Sequence, residues 1–310
     1  MRLIFFGTPD FAVSTLDALL ADGQHVAAVV TAPDKPAGRG QTLVASPIKR
    51  AAEAHGLPVL QPTNLKDPAF QAELRAFGAD LQVVVAFRML PEAVWAMPPL
   101  GTLNVHASLL PQYRGAAPIN WAIIRGEVET GVTTFRLQHA IDTGDILLRE
   151  TVAITPDDDF GTLYEKLRVR GAALAVQTVR GLAAGTIQPQ PQPTLAPDRL
   201  RPAPRLSKET GRLDFSKPAA ELVNWVRGLS PTPTAFAALT DGRLLKIFRA
   251  EAVPHDGPEA PGALLLDPKA STLAFRTTDG ALRVLDAQLE GKKRLPVAEL
   301  VRGFRMRNEE

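Results

Sequence analysis

The 310-residue chain has no cysteine, only two tyrosines and three tryptophans, and five histidines. Without cysteine there is no disulfide framework, no thiolate nucleophile and no Cys-ligated zinc. His25, His55, His106, His139 and His255 show no paired metal-ligand spacing, so no metal is expected. No run approaches the roughly 20 consecutive apolar residues of a membrane span, so no membrane partner is expected either. The opening Met1-Arg-Leu-Ile-Phe-Phe-Gly7 lacks the apolar core and cleavage site of a secretory signal, so a cytoplasmic location is expected. A net charge of +2 is too small to imply a nucleic-acid partner by itself.

What is present is an ordinary soluble composition, 45% hydrophobic and 22% charged, in a chain long enough for two domains. The charge is unevenly spread. From Arg205 onward there are 17 Lys and Arg against 14 Asp and Glu, and between Lys292 and Arg307 six basic residues face Glu299 alone.

The first two thirds alternate between short apolar runs and helical periodicity. Runs at 3–6, 25–31, 59 and 81–87 read as strands; 11–19, 47–55 and 68–77 read as helices. Such alternation predicts an α/β fold with a Rossmann-like, open and mostly parallel sheet. A single Gly in the first turn is not the three-glycine dinucleotide fingerprint, which argues against a nicotinamide or flavin. Residues 32–47 read as a long loop, basic at Lys35 and Arg39, consistent with a phosphate contact or with a solvated surface. A helix over 160–182 precedes a stretch with six prolines between Pro189 and Pro204. Beyond it lie a helix near 219–228 and five short strands with turn signals at Asp241-Gly242 and Asp279-Gly280. These predict a small C-terminal β-barrel of the oligonucleotide-binding (OB-like) kind, serving nucleic acid, dimerisation or structure alone. The expected domains are 1–188 and 205–310, joined by a linker over 189–204.

Chemistry concentrates between Asn104 and Asn120. In an alternating strand Asn104 and His106 share one face, where an amide and an imidazole can serve one developing oxyanion. The imidazole can also carry a proton near neutral pH. Ile141-Asp-Thr-Gly-Asp-Ile146 follows another strand-like run and supplies a carboxylate, Asp142. Taken singly, the first pattern is more often a polar strand face and the second a turn. Segments 87–90, 104–114 and 141–145 are all expected beyond carboxyl ends of strands, where open α/β sheets bind ligands.

In order along the chain, Phe6-Gly-Thr-Pro-Asp-Phe-Ala12, Pro36-Ala-Gly-Arg-Gly40, Asn104-Val-His106, Ser108-Leu-Leu-Pro-Gln-Tyr-Arg-Gly-Ala-Ala-Pro118, Asp142-Thr-Gly-Asp145 and Leu206-Ser-Lys208 resemble the methionyl-tRNA formyltransferase family. The Asn-x-His and Asp-Thr-Gly-Asp pair is similar to the wider formyltetrahydrofolate-dependent group. The resemblance implies formyl transfer from 10-formyltetrahydrofolate to the methionine amine of initiator methionyl-tRNA, by a monomer. Transfer to a sugar or purine-precursor amine is the alternative. It implies catalytic roles for Asn104, His106 and Asp142. Folate contacts are implied at Phe87, Arg88, Met89, Leu90, Ser108, Leu109, Leu110, Pro111, Ile141 and Asp145. Contacts to tRNA are implied at Lys35, Arg39, Lys208, Lys292, Lys293 and Arg294. One departure stands out: Phe87-Arg-Met-Leu-Pro91 is a residue shorter than the family pattern and lacks its Gly.

Overall fold

The computed structural model describes residues 1–37 and 42–303. The described chain divides into two compact units, one from within residues 1–115, 130–152 and 164–202, the other from 116–129, 153–163 and the described residues from 203 onward. Segments 116–129 and 153–163, expected within the first domain, thus group with the second unit. The helix of the first segment packs Ile124 into that unit's apolar core, against the likes of Val226 and Leu229.

In the first unit, strand β1 (Arg2–Gly7) leads into helix α1 (Asp10–Ala21), then β2 (His25–Val30). A small hairpin, β3 (Lys35–Ala37) with β4 (Thr42–Val44), occupies what reads in sequence as plain loop. Helix α2 (Pro47–Ala54), β5 (Val59–Leu60), α3 (Pro68–Ala76), β6 (Leu81–Val85), the short α4 (Glu92–Trp95) and β7 (Thr102–His106) follow. Next in the chain come α5 (Pro118–Ile124), which belongs to the second unit, then β8 (Glu129–Arg136), β9 (Ile146–Ala153) and the long α6 (Phe160–Ala183). The seven-stranded sheet runs β5-β2-β1-β6-β7-β8-β9. Pairings from β5 to β7 are parallel and β7–β8 is antiparallel, so the sheet is open and mostly parallel.

The apolar runs of β1 and β6 follow from burial on both faces: Leu3 to Gly7 and all of β6 are buried or nearly so. Helix α1 buries Phe11, Ala12, Thr15, Leu16 and Leu19, the face its periodicity predicts. Pro9 stands at its N-cap position, without a side-chain cap hydrogen bond. Helix α3 is capped by Asp67, whose carboxylate accepts from Ala69 N at 2.9 Å. Asp67→Ala is expected to cost about 1 kcal/mol in denaturant unfolding, with activity retained.

The second unit holds α7 (Ala219–Leu229) and strands β10 (Ala235–Ala238), β11 (Leu244–Val253), β12 (Leu264–Asp267), β13 (Thr272–Arg276), β14 (Ala281–Leu289) and β15 (Arg294–Pro296), then α8 (Val297–Arg302). The antiparallel order β10-β11-β14-β13-β12, with β15 on β14, matches the expected small β domain and adds one strand. Leu222, Val226 and Leu229 of α7 are buried against Leu245, Ile247 and Val284, each contributing about 2 kcal/mol of hydrophobic burial. No helix among the described residues is long and apolar enough to cross a membrane.

Candidate active site

Strand β7 delivers Asn104 and His106 to the site. Asn104 is held between Val84 of β6 and Phe135 of β8, and His106 lies opposite Thr133. The His106 ring is 7% exposed and stands edge-on to Phe135. Its Nε2 lies 2.9 Å from the carbonyl of Tyr113. A carbonyl only accepts, so Nε2 carries the proton and Nδ1 is the nitrogen left to take one. Nδ1 faces Asp142, whose Oδ2 is 3.8 Å away. The same Oδ2 accepts from Gly115 N at 2.9 Å. The Asn104 carboxamide is half-buried and has no hydrogen-bond partner among the described residues, leaving both its donors for a ligand.

Asp142 reaches His106 by a route the strand pattern does not suggest. Because β8 is antiparallel to β7, its last residue, Arg136, lies opposite Leu103, near the amino end of β7. The carboxyl end of β8 is therefore not at the ligand end of the parallel strands. The 137–145 loop runs back to bring Asp142 to His106, and it closes where Asp145 O accepts from Arg136 N at 2.9 Å. Gly144 makes that closure possible, since a Cβ there would sit 1.7 Å from the Arg136 carbonyl oxygen. Asp142 itself has φ +53, and two more non-glycine residues in these loops, Ala86 at +48 and Tyr113 at +60, share the left-handed conformation. Such residues cost about 1–3 kcal/mol each and cluster where a site must be held in one shape.

The residues assigned to folate fall into two sets. Met89 and Ile141 are 69% and 58% exposed, and Arg88, Met89 and Leu90 line a cleft of about 520 Å³ with Asn64, Lys66 and His139. Phe87 packs edge-on against Phe6. Ser108, Leu110 and Pro111 are buried; the Ser108 hydroxyl donates to Gln112 O at 2.7 Å and Leu110 N donates to the Thr133 hydroxyl. These three shape the loop from within, with Leu109 packed over Gly131. Asp145 is partly buried, its carbonyl used in closing the loop. In the shortened segment, Arg88 donates to the carbonyls of Thr63, at 2.9 Å, and Pro62. It thereby anchors the segment where the missing Gly would have given freedom.

Arg39 lies outside the described residues. Lys35, Lys208, Lys292 and Lys293 are exposed. Arg294 is committed to Asp286, by contacts of 2.7 and 2.9 Å, and lies 4.2 Å from the Phe248 ring centre. The carboxylate pair raises its pKa, and a phosphate would have to displace that carboxylate.

Two polar residues, Tyr164 and Gln192, escaped the sequence reading. Tyr164 donates to Asp10 Oδ1 and accepts from Phe11 N at 2.9 Å, fixing the start of α1; burial raises its pKa. Arg114 and Gln192 stand beside Asp142. Among the described residues no cluster of three or more His, Cys, Asp or Glu side chains is arranged to hold a metal.

A profile described as formyl transferase matches residues 1–179, and the formyl transferase C-terminal domain matches 205–305. The methionyl-tRNA formyltransferase of Bacteroides fragilis is 48% identical over 311 residues, covering 99% of this chain and 96% of the relative. That of Flavobacterium johnsoniae is 45% identical, covering 100% of this chain and 98% of its own. Among solved structures, the sugar 3N-formyltransferase WlaRD, determined with dTDP and 5-N-formyl-THF, aligns with TM-score 0.68 at 16% identity, covering 94% of this chain and 99% of its own. HypX from Aquifex aeolicus in complex with tetrahydrofolic acid aligns at 0.64 and 20% identity, covering 97% of this chain and 47% of that one. At such identities the two structures establish a shared fold. With both of its halves matched in order and relatives close to half identical along almost its whole length, the chain belongs to the formyl transferase family, alongside the methionyl-tRNA formyltransferases.

Proposed function

We propose that the protein transfers the formyl group of 10-formyltetrahydrofolate to the α-amino group of methionine on initiator methionyl-tRNA. The observation that carries the chemistry is the half-buried Asn104 carboxamide next to an imidazole whose Nδ1 faces the Asp142 carboxylate. The choice of acceptor rests on the full-length relatives named methionyl-tRNA formyltransferase.

In this reading the amine attacks the formyl carbon, and the carbonyl oxygen becomes an oxyanion. Asn104 donates to it, and His106, once protonated at Nδ1, does the same. One carbon–nitrogen bond forms and the bond to the folate nitrogen breaks. The proton shed by the amine passes by way of Asp142 and Nδ1 of His106 to the departing folate nitrogen. The Tyr113 carbonyl keeps the ring in the tautomer this requires. Holding amine and formyl carbon at attacking distance supplies much of the remaining rate. The donor would lie along 87–90 and 141–145, with Ser108 to Pro111 shaping the wall.

For the tRNA, we assign the phosphate contacts to Lys35, Arg39, Lys208, Lys292 and Lys293, and to Arg294 only after it releases Asp286. The protein is taken to act as a cytoplasmic monomer, with 1–188 as catalytic domain and 205–310 as tRNA-binding domain across the 189–204 linker. Neutralising Lys292 and Lys293 together should weaken tRNA binding and reduce the slope of log affinity against log salt by about 2. An unchanged slope in a binding titration would remove the β domain from the tRNA contact. Arg39→Ala should raise KM for tRNA while folate binding stays within about two-fold; loss of folate binding instead would place that loop at the donor.

A further inference from the structure

We propose that Gln192 is a positioning residue, which with Arg114 fixes the loop carrying Asp142. This rests on the catalytic reading above and assigns a role to the Pro/Gln-rich stretch beyond that of a linker.

All four hydrogen-bonding positions of the Gln192 amide are used in one direction-defining arrangement. Its Nε2 donates to the carbonyl of Asp142 and to that of Gly144, both at 2.9 Å. Its Oε1 accepts from Arg114, from Nε at 3.2 Å and Nη2 at 2.5 Å. A side-chain amide so placed cannot flip without setting oxygen against two carbonyls and nitrogen against a guanidinium. Arg114 is itself partly buried; burial lowers its pKa, while the Asp142 carboxylate acts in the opposite direction. The two carbonyls Gln192 grips flank Thr143, so the amide spans the tip of the turn that presents Asp142 in its left-handed conformation.

The surrounding chain makes the grip rigid. Gln190 forms a two-bond bridge with Ile146 at 2.7 and 2.9 Å. Further along, Gln112 donates to Arg199 O at 2.9 Å and accepts from Arg201 N at 2.8 Å, while Tyr113 N donates to Arg201 O at 2.7 Å. Segment 190–201 is thus tied to both loops that meet at His106: the Tyr113 loop, whose carbonyl sets the tautomer, and the Asp142 loop, which supplies the carboxylate. Both ties are absent from the sequence pattern because they need only glutamine side chains and bare backbone.

The test is Gln192→Glu, which keeps the volume and the Arg114 partner but turns both donors into acceptors. Single-turnover formyl transfer is measured for the wild type, Q192E, D142N and the D142N/Q192E double variant, beside hydrogen exchange of the 139–146 peptide and thermal melting. The expected result is a fall in kcat of about ten- to hundred-fold, with KM for both substrates within about two-fold. In the D142N background the same change should cost less than about two-fold, because the group being positioned is already gone. Exchange over 139–146 should quicken with the melting temperature preserved. Equal losses with and without the Asp142 carboxylate, or an unchanged kcat, would overturn the assignment. Should the wild type transfer nothing to methionyl-tRNA, the catalytic reading falls while exchange still decides: unaltered protection of 139–146 in Q192E would refute the positioning role.

Discussion

Asp142→Asn is expected to lower single-turnover formyl transfer by a factor of at least about 100, with folate dissociation constant and melting temperature close to wild type. The substitution keeps size and shape and leaves an oxygen to accept from Gly115 N, so the loop should stay in place. What it removes is the negative charge 3.8 Å from Nδ1 of His106. Without it, the imidazolium formed when His106 takes the amine's proton loses its counter-charge, and the alternative proton acceptor is lost as well. His106→Ala should be at least as severe, and D142N/H106A should fall well short of the product of the two single effects. Multiplicative losses would show that the two side chains act separately, contrary to the proton path drawn here. Slower transfer through weakened folate binding would instead move Asp142 from proton handling to donor recognition.

Gly144→Ala is expected to be among the most damaging single-methyl changes at the described residues. The added carbon would lie 1.7 Å from the Arg136 carbonyl oxygen and 2.9 Å from its carbon, both backbone atoms that cannot rotate away. Either the 137–145 loop lifts off β8, breaking the bond from Arg136 N to Asp145 O, or the sheet edge opens. Changes that force such a rearrangement cost upwards of about 4 kcal/mol, a large share of a typical folding stability. The variant should therefore be recovered with a strongly lowered denaturation midpoint, or stay folded with Asp142 displaced and transfer abolished. A stable, fully active G144A protein would mean that the loop does not pass beneath Arg136 as described.

Much of this was legible in the chain because burial writes itself into composition. The runs at 3–6 and 83–85 are apolar because the strands are covered on both faces. The Asn104/His106 alternation survives because β7 turns these two polar side chains to one face of the sheet. The strand before Asp142 is visible in the sequence and its direction is not, since apolar periodicity carries no sign. The hairpin at 35–37 and 42–44 was hidden by Pro36 and by its three-residue strands. Strand β15 and helix α8 were masked by the charge of Lys292 to Arg294, which reads as solvated chain. Gln192 left no trace because a glutamine among prolines looks like any linker residue until the carbonyls it grips are known.

The most direct measurement is formyl transfer from 10-formyltetrahydrofolate to charged initiator methionyl-tRNA, run beside charged elongator methionyl-tRNA and free methionine. The account predicts formylmethionine on the initiator, little on the elongator and none on the free amino acid. Transfer to a sugar amine or another small amine, with both tRNAs untouched, would contradict it.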